Sequence, residues 1–213
     1  MNAIEIGRLL RAGTAGCVVG CKVTQMETPE FGGMVRIPLE DGYDIYGLIY
    51  DIHIDDDGLV RQLATASAIN EQVIQDNRVN RNVPVEVSVL FTGYELRGEI
   101  MHLLPPRPPL TLDRIFACTP AELCRFTAHG RFGYFRHVLR AGDLPVGELL
   151  AAHLRLAAVA HAQSGRPDWR HDATRELIVL LRDDYGALMS VLSALGDTGL
   201  FQGAPQSTTA RSQ

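Results

Sequence analysis

Four cysteines, seven histidines, an acidic turn and an arginine–aromatic run are the residues of this chain whose types invite chemistry. Zinc is held by thiolates spaced Cys-x₂-Cys, because that loop brings two sulfurs to adjacent corners of a tetrahedron. Cys17 and Cys21 have three residues between them, and Cys118 and Cys124 have five. Neither spacing encodes that geometry. Cys17 and Cys21 fall in an apolar run and read as small core residues. His129 and His137 are eight apart, as are His153 and His161. On a helix that separation is about 12 Å, too far for one ion. The His-Glu-x-x-His pattern of zinc proteases is absent. Asp51 to Gly58 resembles a calcium loop, but its sixth position is Asp56 where the loop needs glycine, and the late bidentate Glu is missing. An acidic hairpin turn is the expected structure there.

Phosphate cradles are also absent. The P-loop needs a lysine directly after glycine. The only lysine is Lys22, and it follows Cys21. Gly7, Gly13, Gly16 and Gly20 do not form Gly-x-Gly-x-x-Gly. The sequence therefore names no catalytic residue, no cofactor-binding residue and no metal ligand. It predicts a protein that is not an enzyme, with a site assembled from distant residues as the alternative.

One basic feature stands out. Arg125, Arg131, Arg136 and Arg140 interleave with Phe126, Phe132, Tyr134 and Phe135, and no acid lies between the first and last arginine. Basic residues alternating with aromatics can bind single-stranded nucleic acid by stacking and phosphate contact. The structural alternative is favoured: aromatics in a core, with arginines facing solvent or an acidic neighbour. Four arginines make a small electrostatic footprint.

The elements that must position these residues follow from periodicity and punctuation. Net charge is −5, with 15 Asp and Glu against 9 Lys and Arg in residues 1–110, and 10 against 11 in residues 111–213. The acidic first half repels a phosphate backbone. No run of about 18 apolar residues exists to span a membrane, and the first eleven residues lack a signal-peptide core. A cytoplasmic location with free thiols is the expectation.

Val83, Val85, Val87, Val89 and Phe91 alternate with other residues, which predicts a strand. Thr92-Gly93-Tyr94 reads as its turn, and Glu95 to Leu104 as the returning strand. Val35 to Leu39 and Asp44 to Ile54 are further strands, separated by an Asp41-Gly42 turn. Gly47 inside the latter predicts a bend or a close backbone approach. Residues 63–80 break the pattern, as a helix or a loop excursion. Several short strands between turns point to a small barrel or sandwich.

The run Pro105-Pro106-Arg107-Pro108-Pro109 can neither pair in a ladder nor continue a helix. It reads as a stiff spacer. Beyond it, Thr119-Pro120-Ala121-Glu122 is a capping box with proline at the first helical position. Residues 131–140 and Pro145 to Gln163 read as further helices. Asp168 can cap a last helix, in which Ile178, Leu181, Tyr185, Leu188, Leu192 and Leu195 step by threes and fours. The last two helices are expected to form an antiparallel hairpin, with dimerisation through the seam as the alternative. The fold class is α+β. A barrel spans 1–104, a Pro-rich linker 105–118, a helical domain 119–202 and a disordered tail 203–213.

Ile6-Gly7-Arg8-Leu9-Leu10, Gly33-Met34-Val35-Arg36-Ile37-Pro38, Ile45-Tyr46-Gly47-Leu48-Ile49 and the proline run, in this order, resemble the HAS-barrel. That is the small N-terminal barrel of HerA-type DNA translocases and rotary ATP synthase subunits. The exit Ala117-Cys118-Thr119-Pro120-Ala121-Glu122-Leu123 extends the likeness, which covers about half the chain. HerA-type proteins continue into a RecA-like motor, and this chain continues into a few helices, so no motor activity carries over. The resemblance implies an accessory or adaptor protein in DNA processing or repair. Its partner would be a HerA-like translocase or a second copy, since in that family barrels associate into rings and dock partners such as the NurA nuclease. Nucleic-acid binding through Arg125 to Arg140 is the alternative.

Overall fold

The computed structural model describes residues 3–21, 29–54 and 85–200. Among the described residues there are seven strands: β1 (Glu5–Ala12), β2 (Gly16–Cys21), β3 (Met34–Pro38), β4 (Tyr43–Ile54), β5 (Val85–Leu96), β6 (Glu99–Met101) and β7 (Arg114–Ala117). Every pairing is antiparallel, in the order β2-β1-β7-β3-β4-β5-β6. β2 also pairs with β5 from Gly16↔Leu90 to Cys21↔Val85, so six strands close into a barrel and β6 extends β5 outside it. Closure removes the free edges of the wall. The fold is α+β, a closed barrel followed by five helices.

The barrel interior is filled by alternate residues, as a period of two demands. Leu9, Val19, Ile37, Ile45, Val87, Val89, Phe91 and Ile115 are buried there, with Cys17 and Cys21 among them. Gly47 marks a register shift in β4, and a Cβ on it would lie 2.5 Å from Val89 Cγ1 and 2.7 Å from the Leu90 carbonyl oxygen. The close approach expected of this glycine is present.

Two strand boundaries differ from the sequence reading. Thr92-Gly93-Tyr94 is not a turn: β5 runs straight through it to Leu96, and the chain reverses at Arg97-Gly98, both at positive φ. Gly93 is needed because a Cβ would meet the Met101 carbonyl at 2.5 Å and the Phe126 ring at 2.9 Å. The returning strand is only Glu99–Met101. The second correction concerns the linker. Arg114–Ala117, inside the span read as linker, is β7, and it closes the wall between β1 and β3. Pro105 and Pro109 are buried, and Tyr43 donates from its hydroxyl to the Arg107 carbonyl, so the proline run lies on the barrel. An extended chain without amide donors can cross a surface without pairing.

The helices are α1 (Pro120–Thr127), α2 (Phe135–Leu139), α3 (Val146–Gln163), α4 (Trp169–Leu180) and α5 (Tyr185–Asp197). The capping box is formed: the Thr119 hydroxyl accepts from the Glu122 amide, and the Glu122 carboxylate accepts from the Thr119 amide. The segment read as one helix over 131–140 is a 3₁₀ turn at Gly130–Phe132 followed by α2. The leucine seam is broken. α4 stops at Leu180, and Asp184 caps a separate α5 by accepting from the Ala187 amide. Asp168 precedes α4 without a side-chain cap bond. In place of one hairpin, α3 packs against both α4 and α5, and Ile178 and Tyr185 of the expected seam are exposed.

The second core unites the two halves. Met34, Tyr46 and Leu48 of the barrel's outer face, with Ile100 of β6, pack with Phe126, Tyr134, Phe135, Leu149, Leu150 and Trp169. The wall formed by β3 to β6 is thus covered by helices. The residues read as an excursion (63–80), the acidic turn at Asp55–Gly58 and the tail at 203–213 lie outside the described residues. No described helix is long and apolar enough to cross a membrane.

Candidate functional site

The polar groups most densely joined lie where α1 crosses the barrel. Arg125 reaches Glu95 with both terminal nitrogens, at 2.6 Å to Oε1 and 2.5 Å to Oε2. Tyr46 donates its hydroxyl to Glu95 Oε2 at 3.0 Å, and Arg125 Nη2 donates to that hydroxyl at 3.1 Å. β4, β5 and α1 each supply one member. The paired hydrogen bonds from Arg125, with help from Tyr46, hold the Glu95 carboxyl below its usual range against the opposing effect of burial. Burial and the neighbouring carboxylate push the Tyr46 phenol up. A carboxylate fixed as an anion beside a phenol fixed as neutral exchanges no proton near neutrality. This arrangement is a clamp between helix and barrel. Arg36 is a second one, pairing with Asp44 at 3.3 Å and with Glu122 at 3.0 Å.

Removing one partner of the first clamp leaves Glu95 charged and nearly buried. Arg125→Met should therefore lower stability by about 1–3 kcal/mol, less than for a fully buried pair because Arg125 is half exposed. Urea unfolding measures this. Glu95→Gln in the same chain should recover part of the loss, and an additive double variant would show that the two residues are not coupled.

Histidines form the other polar groups. His153 Nδ1 lies 3.2 Å from the Gly32 carbonyl, and His153 Nε2 lies 3.0 Å from the Tyr134 hydroxyl. A carbonyl only accepts, so Nδ1 carries the proton and Tyr134 donates to Nε2. Thr127 donates to the Leu123 carbonyl at 2.7 Å, so it accepts from His161 Nε2 at 2.8 Å. That leaves His161 Nδ1 buried without a partner. His102 Nε2 donates to the Phe126 carbonyl, and its Nδ1 is likewise buried and unpartnered. Burial, the largest cause in each case, pushes all three down to about 4. Each is a neutral core residue. Periodicity could not show this, because histidines on a helix look alike whether packed or exposed.

The arginines of the basic–aromatic run have three fates. Arg125 is in the clamp. Arg136 donates to the carbonyl of His102, as does His137 at 3.0 Å. Arg131 and Arg140 are exposed. Phe126, Tyr134 and Phe135 are fully buried, and Phe132 is half-buried against Phe135 and Trp169. These rings are packed into the second core, as the structural alternative expects.

Sequence reasoning passed over three features. The clamp joins residues far apart in the chain, and only Glu95 and Arg125 hinted at charge complementarity. The second is a set of exposed leucines on β1 and on the segment before β7. The Leu112 amide donates to the Leu9 carbonyl, and this places Leu112 beside Leu10. Leu10, Leu110 and Leu112 are 46%, 73% and 65% exposed, with Arg8, Arg11 and Arg114 exposed around them. The third is a groove between the 3₁₀ turn and α4. Among the described residues no three His, Cys, Asp or Glu side chains gather as a metal-binding group. Comparison with protein-family models and with curated proteins finds no match to this chain.

Proposed function

We propose that this chain is a non-enzymatic accessory protein of the HAS-barrel type, which docks through its barrel wall onto another barrel. The partner barrel belongs to a second copy of the chain or to a HerA-like DNA translocase, and the setting is DNA processing. One observation carries this reading: three large apolar side chains, Leu10 on β1 and Leu110 and Leu112 on the segment that leads into β7, are exposed, and the Leu112 amide is bonded to β1 at the Leu9 carbonyl. A small apolar patch rimmed by arginines fits an interface centre with a polar rim. The closed six-strand barrel and the Ile6 to Leu10 segment that builds this wall agree with the resemblance. The clamps tie helix to barrel, which gives the docking wall a rigid support.

Two differently tagged copies of the full chain should co-purify when expressed together. The pairing should weaken with salt, because the arginine rim sets register, and should not depend on ATP. Copies that never co-purify at any salt concentration, together with no capture of a HerA-like barrel, would contradict the proposal. Arg136 is a poor site for a charge-reversal test. Arg136 is engaged by the His102 carbonyl, and reversing its charge would damage the fold.

A further inference from the structure

The third feature is a groove of about 460 Å³ between the Gly130–Phe132 turn and α4. Phe132, Trp169 and Val179 give it an apolar, aromatic wall, and Arg131, Arg166 and Arg175 bring three guanidiniums to it. Arg175 lies 4.0 Å from Asp172. Arg131 and Arg166 are exposed and have no ion pair or side-chain hydrogen bond among the described residues. Two unpaired cations beside an aromatic wall form a place for an anion with a flat apolar body.

The backbone adds an independent reason. Gly130, Arg131 and Phe132 have φ of 57°, 48° and 59°, three consecutive residues in the left-handed region. Glycine adopts that region freely, and arginine and phenylalanine do so against steric resistance. Phe132 gains a buried ring contact with Trp169 for its share. Arg131 gains no ion pair or side-chain hydrogen bond among the described residues. Backbone strain without structural return, at a residue aimed outward beside a groove, is characteristic of a binding position. A second mark lies in the groove's wall. Trp169 is 3% exposed and its Nε1 has no hydrogen-bond partner. Its ring is stacked on His161, whose Nδ1 is unpartnered too. Buried polar atoms without a partner are uncommon, and a polar group on a ligand can satisfy one.

We infer that this groove binds a phosphate monoester carried on an aromatic body, with the phosphate between Arg131 and Arg166 and the ring against Phe132 and Trp169. Two unpaired guanidiniums balance a dianion, whereas a carboxylate would neutralise only one. Glu176, on the same groove, sits one helical turn from Asp172 and accepts from a hydroxyl or amino group on the ligand's body. A groove of this size holds a nucleoside monophosphate or a phosphotyrosine side chain, and both present the same chemistry.

The chain has one tryptophan, so its fluorescence reports this groove alone. Phenyl phosphate titrated into the full chain should change that emission saturably at millimolar concentration or below. Arg166→Ala and Arg131→Gly should each weaken binding by about tenfold or more, the loss of one charge-assisted contact. Arg131→Gly should keep or raise the urea midpoint, because glycine relieves the left-handed residue, which separates loss of binding from loss of fold. Arg140→Ala is the control and should bind as the parent does. Tighter binding of AMP than of a phosphotyrosine peptide names a free nucleotide as the source, and the reverse names a protein partner. No saturable signal with phenyl phosphate would overturn the inference. So would binding that survives both Arg131→Gly and Arg166→Ala unchanged.

Discussion

The chain should lose its cooperative fold in mild acid, between about pH 6 and pH 4. His102, His153 and His161 are all buried and neutral, each pushed from about 6.5 in the unfolded chain down to about 4. A folded-state value below the unfolded one means that the unfolded chain binds protons first as pH falls. Stability from these groups is therefore complete above 6.5 and is lost as pH falls through the window down to 4. Each histidine removes about 1.4 kcal/mol per pH unit there, and three remove about 4 kcal/mol per unit. That rate exhausts the 5–15 kcal/mol typical of a domain within two or three units. Neighbours act in the same direction: His129, Arg136 and His137 face His102, Arg166 faces His161, and His161 faces His153. Glu95, whose value is lowered, adds a loss at still lower pH. Urea midpoints from pH 7.5 to 4 measure the effect. His153→Gln, which can still accept from Tyr134, should flatten the curve by about a third of its slope. A midpoint unchanged down to pH 5 would show that the histidines are solvated.

A fragment of residues 1–104 should not fold. The proline run reads in the sequence as a domain boundary, and a boundary would leave the fragment with β-type circular dichroism. The structure places β7 beyond it, as the strand that joins β1 to β3. Without β7 the barrel is open and Ile115 is missing from its interior. Without the helices, Met34, Tyr46, Leu48 and Ile100 are bared as well. Exposing four such side chains costs about 6–12 kcal/mol, as much as a whole domain's stability. Residues 1–118 restore the strand and keep the bare face, so that fragment should aggregate or remain partly ordered. The full chain should melt in one transition. A 1–104 fragment with a cooperative β-type melt would contradict the shared core.

These two results mark where sequence patterns carry information and where they stop. The strands around Val35 to Leu39 and Asp44 to Ile54 were legible because their periodicity of two is set locally, by one buried face. The capping box at Thr119 was legible for the same reason. β7 was not legible: Arg114–Ala117 is four residues long, follows four prolines, and acquires its strand state only by fitting a gap between β1 and β3. Thr92-Gly93-Tyr94 has turn composition, yet Gly93 serves the close passage of Met101 and Phe126. The seam from Ile178 to Leu195 has helical spacing throughout, but spacing does not register a break whose ends are capped by Asp184. The candidate sites were less legible still. The basic–aromatic run named Arg125 and Arg131 as neighbours in one surface, and tertiary packing gives one to a clamp and the other to a strained turn.

The proposed docking role stands on Leu10, Leu110 and Leu112, and sedimentation equilibrium of the full chain tests it most directly. The parent chain should associate reversibly at micromolar to millimolar concentration in low salt, with or without ATP. Leu112→Glu puts a charge at a 65% exposed position and should leave the melting temperature within a few degrees. It should weaken the association at least tenfold, because a charged side chain replaces an apolar one at the interface centre and must lose its water to be buried there. A parent chain that stays monomeric throughout that range, or a Leu112→Glu chain that associates as well as the parent, would contradict the account.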